Sequence, residues 1–61
     1  MLPRELDGVT LLVDLPLLGL KSGDEGVIVA IRRADDGRLL YRIETDDGRS
    51  AELDSTQFGL D

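Results

Sequence analysis

Two carboxylate pairs, Asp35/Asp36 and Asp46/Asp47, are the first residues in this chain whose type and spacing could do chemistry. Paired acids can serve as general acid and base when their surroundings push their pKa values apart. Each pair, however, is followed at once by glycine and arginine, in Asp35-Asp36-Gly37-Arg38 and again in Asp46-Asp47-Gly48-Arg49. Asp before Gly is a hairpin-turn signal, and a hairpin tip offers nothing to desolvate a carboxylate. Turn formation therefore accounts for both pairs without catalysis. The chain has no His and no Cys, which excludes thiolate and imidazole zinc sites, cysteine nucleophiles and histidine acid–base chemistry. An Asp-Asp-Gly spacing is also unlike a calcium-binding loop, where several oxygen ligands must converge. The expectation is a non-enzymatic protein with no cofactor and no metal.

The basic residues are the next candidates. Arg32, Arg33, Arg38 and Arg42 fall around one hairpin and could form a local cationic stripe, but Asp35, Asp36, Glu44 and Glu52 lie among them. Nucleic-acid recognition asks for a basic face and often for aromatic platforms. The single Tyr and single Phe are both needed for the core, and the formal net charge is −6. That charge disfavours phosphate backbones and anionic membranes, whereas it suits solubility or a basic protein partner. No apolar run approaches the length of a membrane span or a signal peptide, and the lack of Cys fits a reducing compartment. A cytoplasmic location is expected.

The elements that must position these residues read as strands. Sixty-one residues form one domain with a thin core. Met1–Glu5 is a lead-in, Leu6 is the first residue expected in the core, and Asp7-Gly8 is a turn. Val9–Val13 is rich in β-formers, with Val9, Leu11 and Val13 on the core face and Thr10 and Leu12 opposite. Asp14–Ser22 is broken by Pro16 and Gly19, so neither helix nor central strand is expected there. Gly23-Asp24-Glu25-Gly26 forms a turn into a strand over Val27–Arg33, with Val27, Val29 and Ile31 inward and Ile28, Ala30 and Arg32 outward. Three-residue Asp-Asp-Gly loops then set the register: Ile31 opposite Tyr41, Val29 opposite Ile43 and Val27 opposite Thr45, followed by Ile43 opposite Ala51 and Tyr41 opposite Leu53. Asp54–Gln57 carries a cap residue and a Gln three later, the pattern of a single 3₁₀ turn. Phe58 then plugs the core and Leu60 adds a short strand beside the first. The expected fold is an all-β, five-stranded SH3-like barrel spanning 1–61, with a long first loop and the 3₁₀ turn before the last strand.

Gly23-Asp24-Glu25-Gly26-Val27-Ile28-Val29 resembles a turn-and-strand motif of KOW modules and of the ferredoxin-docking subunit of photosystem I. A longer resemblance runs through Asp14-Leu15-Pro16, Gly19-Leu20-Lys21, the Gly23–Gly26 turn and the later Asp-Asp-Gly-Arg hairpin. It is to a family of short bacterial proteins built of one SH3-like barrel, a domain of unknown function. The family resemblance implies the fold and no activity; the KOW resemblance implies a nucleic-acid-associated module as a second reading. Where that family is usually polar between Pro and Gly, this chain has Leu17 and Leu18.

Those two leucines are the best candidate for function. Leu15 and Leu20 are expected to cap the barrel, leaving Leu17 and Leu18 on a contiguous apolar patch of the kind that marks interaction sites. Ile28 and Leu40, sent outward by the expected register, could extend it. The resulting expectation is a small adaptor, docking domain or regulatory partner, binding another protein or a second copy of itself through the leucine loop. An antitoxin or immunity-like partner of a basic protein is a special case that the acidic charge would favour.

Overall fold

The computed structural model describes residues 2–61. Five strands form in chain order: β1 (Gly8–Leu11), β2 (Glu25–Arg33), β3 (Leu39–Thr45), β4 (Ser50–Leu53) and β5 (Phe58–Leu60). They make one antiparallel sheet in the order β4-β3-β2-β1-β5. Leu60 lies beside Val9 and Phe58 beside Leu11, so the last strand does flank the first.

The sheet is strongly curled. The Tyr41 ring on β3 and the Phe58 ring on β5 meet edge to face with centroids 5.3 Å apart. Strands three places apart in a flat sheet would be separated by ~14 Å. Curling brings the faces of β3 and β5 together over Val9, Leu11, Ile28 and Ile43, the most deeply buried side chains. The sheet stays open, because no ladder joins β4 to β5 among the described residues.

The β3–β4 pairing matches the expected register, with Ile43 opposite Ala51 and Tyr41 opposite Leu53. In β2 the match holds only for the C-terminal half. Ile31 faces Tyr41, but a bulge between Ile28 and Ala30 places Ile28 opposite Ile43, Val27 opposite Glu44 and Gly26 opposite Thr45. An extra residue on one strand reverses the inward–outward alternation on its far side. Ile28 is therefore 0% exposed in the core, while Val29, expected inward, is 37% exposed. Val27 is half-buried. The bulge also bends β2, which a curled sheet needs. Just before it, β2 and β3 approach so closely that a Cβ on Gly26 would lie 2.7 Å from the Glu44 carbonyl oxygen. Glycine is required there by space.

Three further expectations are corrected. Leu6 is 80% exposed, not in the core. The Asp7 carboxylate accepts from the Arg4 amide (2.8 Å) and ties a turn in which Leu6 takes a φ of 72° and points away. Val13 lies beyond the end of β1 and is half-buried. The 3₁₀ turn is at Pro16–Leu18 instead of before β5. Pro16 and Gly19, read as interruptions, are its start and stop: Pro supplies a preset φ at the first position and Gly19 closes it at φ 72°. Asp54–Gln57 is a plain turn, though the cap and Gln do engage, the Gln57 side chain accepting from the Asp54 amide at 3.0 Å.

Candidate functional site

The leucine segment is a miniature hairpin of its own. Leu15 and Leu20 exchange both backbone hydrogen bonds, at 2.8 and 3.1 Å, and close a small loop around the 3₁₀ turn. Leu20 is buried and Leu15 packs half-buried against the core, so these two side chains anchor the loop to the sheet. With both ends pinned, the intervening side chains have nowhere to turn but outward. Leu17 is 99% exposed and Leu18 48% exposed. Together with Asp14, Leu15 and Pro16 they line a shallow, almost wholly apolar depression of about 400 Å³.

Four polar contacts hold this loop. The Asp14 carboxylate accepts from the Ser22 amide at 2.9 Å, and the Asp24 carboxylate accepts from the Lys21 amide at 3.0 Å. The Gly23 amide donates to the Leu11 carbonyl at 2.8 Å, securing the turn to the end of β1. A further contact comes from across the molecule: the Arg49 guanidinium, at the β3–β4 hairpin tip, donates to the Gly19 carbonyl. Arg49 is itself paired to the Asp47 carboxylate at 2.7 Å, and Asp47 accepts from the Thr45 hydroxyl at 2.5 Å. The hydrogen bond from Arg49, then the one from Thr45, holds the Asp47 carboxyl far below the usual carboxylate range. The same Asp47 bond raises Arg49. Charged and aligned, this relay fixes the exit of the leucine loop.

Of the four residues expected to form the contact surface, only Leu17 and Leu18 stand together. Ile28 is a core residue for the reason given by the bulge. Leu40 is half-buried opposite Arg32, at the end of β3 nearest the first hairpin. The leucine loop meets the other end, where Arg49 follows β3. The length of β3 therefore separates them, ~17 Å at the usual rise per residue.

The remaining candidates are dispersed. The Asp36 carboxylate binds Arg38 (2.8 Å to Nε), with the Arg38 amide the larger cause of its lowered pKa. Arg32 forms a two-pronged pair with Glu52 at 2.7 and 2.6 Å, which lowers Glu52 and raises Arg32. The cationic stripe is thus interleaved with carboxylates, two of its four positions, Arg32 and Arg38, being paired with them. No group of three or more potential metal ligands gathers among the described residues. Nor is any helix there long and apolar enough to cross a membrane.

Sequence reading missed the Arg49–Gly19 contact. The one signal for it was the repeated Asp-Asp-Gly-Arg motif, whose second copy alone is preceded by Thr45. No family model, curated protein or solved structure matches this chain.

Proposed function

We propose that this chain is a small, non-enzymatic protein-binding module whose contact surface is the Asp14–Leu18 segment. The carrying observation is Leu17: an apolar side chain 99% exposed on a loop held by backbone, carboxylate and guanidinium contacts. A floppy loop would bury its leucines against itself or lose entropy on docking. A pinned one presents them preorganised, which lowers the ordering cost of association. Burying one leucine on a partner contributes ~2 kcal/mol, enough for two of them to dominate a small interface. The strand order and curl support an SH3-like half-barrel as the carrier, as the family resemblance implies. A cytoplasmic adaptor, docking domain or regulatory subunit fits the composition. The KOW-like reading is the weaker one, since Arg32 and Arg38 already hold carboxylates and both aromatic rings pack inside.

The test is a paired comparison of the wild-type chain and Leu17→Ser/Leu18→Ser. Serine at two exposed positions should leave thermal stability within about 0.5 kcal/mol. Partner retention on a column, or self-association in sedimentation, should be lost in the double variant. An unchanged set of associations would sink the proposal.

A further inference from the structure

The apolar depression has an acidic neighbour. Beyond the Arg49–Gly19 contact lies a second hollow of about 230 Å³, lined by Asp24, Glu25, Thr45, Asp46, Asp47 and Arg49. Asp14 stands on the wall of the apolar depression itself. Arg49, on the wall of the acidic hollow, donates to the carbonyl of Gly19, the residue that follows Leu18 of the apolar depression, so this one contact links the carboxylate side to the leucine side. Their charges are unequally satisfied. Asp47 is engaged by Arg49, and Asp14 and Asp24 accept backbone amides. Glu25 and Asp46 make no side-chain hydrogen bond or ion pair among the described residues, and both are exposed.

We infer that the leucine segment takes a partner segment of defined chemistry, an apolar anchor flanked by lysine or arginine. The anchor fills the Leu15–Leu18 depression and the flanking cation meets Glu25 and Asp46. This inference rests on the protein-binding reading above and adds charge to it. Complementary charge beside an apolar patch steers encounter and excludes wrong partners. A second copy of the chain fits less well, because it would bring its own net charge of −6 and the same carboxylates against these.

The experiment is an amide-resonance titration of the isotope-labelled full chain with three synthetic peptides. One carries a leucine pair flanked by lysines, one the same pair flanked by glutamates, and one the lysines with serine in place of leucine. The lysine–leucine peptide should shift Leu17, Leu18, Gly19, Glu25 and Asp46, at least about tenfold more tightly than either control. Raising the salt from low to high should weaken it about fivefold or more. Glu25→Gln/Asp46→Asn, which removes two charges and no recorded bond, should weaken it about threefold or more while leaving the fold intact. Leu17→Ser/Leu18→Ser should abolish it. Equal binding of the lysine and glutamate peptides overturns the inference and leaves the protein-binding reading standing. Self-association through Leu17 with no response to the lysine peptide does the same, making the occupant a second copy. No response to any peptide also overturns it, and whether associations survive in the leucine double variant then decides the broader reading separately.

Discussion

The two Asp-Asp-Gly-Arg hairpins carry the same four residues and make the same turn, yet they do different jobs. In each, glycine sits in the left-handed region, with φ 91° at Gly37 and 87° at Gly48. Each turn closes the same way, Gly37 donating to the Ala34 carbonyl at 2.9 Å and Gly48 to that of Thr45 at 3.0 Å. In each, the second Asp pairs with the Arg two residues on. The difference lies in what precedes and what is nearby. Ala34 offers no hydroxyl, and Arg38 reaches only toward Asp54, at 4.0 Å. Thr45, mostly buried, donates to Asp47, and Arg49 spans to the Gly19 carbonyl. Local sequence dictates the turn; a single preceding residue and the tertiary surroundings decide whether the turn becomes a clamp on the leucine loop.

The comparison can be broken first at its shared part. Gly37→Ala and Gly48→Ala should each cost about 1–2 kcal/mol, because both force a side chain into the left-handed region while meeting no neighbour within 4 Å. Denaturant titration should find the two costs equal to within about 0.5 kcal/mol; a large disparity would mean that the turns are not equivalent. Thr45→Val should cost about 1 kcal/mol by removing the hydroxyl from Asp47, and the first hairpin has no counterpart to lose. Arg49→Met and Arg38→Met should then separate the hairpins by location. The first should speed amide exchange at Leu18–Leu20, and the second should leave that loop unchanged.

The smallest effect is in acid. The folded-state carboxyls of Asp36 and Asp47 lie below their ordinary value, so each contributes stability that is present above the unfolded pKa of about 4 and lost as pH falls through the folded one. Thermal midpoints should therefore fall below about pH 4 and show no change from these two groups between about pH 5 and 8. Asp47, receiving both the guanidinium and the hydroxyl, should titrate lower than Asp36 in carboxyl-carbon spectra. Arg49→Met should narrow that gap.

The same contrast explains what was legible in the sequence. The β3–β4 register was readable because Tyr41, Ile43, Ala51 and Leu53 alternate without interruption and Asp46-Asp47-Gly48 admits one economical loop. The first half of β2 was not. Its run Val27–Ile31 is apolar on both faces, so alternation cannot say which face is buried, and the bulge that reverses the assignment leaves no mark in an unbroken apolar run. Leu6 misled for a related reason: an apolar residue is not drawn inward when a neighbouring carboxylate, here Asp7, fixes the backbone. In the leucine loop, Pro16 and Gly19 were visible but read as breakers, since a turn of three residues is too short to show a period. The exposure of Leu17 and Leu18 follows from those short-range constraints. The Arg49 contact could not, because it links residues thirty apart and depends on how far the sheet curls.

That curl is completed by chain ends. The Thr10 hydroxyl donates to the Asp61 carboxylate at 2.7 Å, and Val9 lies beside Leu60, so β1 and β5 join across almost the whole chain length. Such pairing must bear a large loop-closure entropy, whereas the β2–β3–β4 meander is joined by three-residue loops and can zip locally. The expected order of events is meander first and terminal strap last. Phe58→Leu should accordingly raise the unfolding rate and leave refolding nearly unchanged, while Ile43→Val should slow refolding.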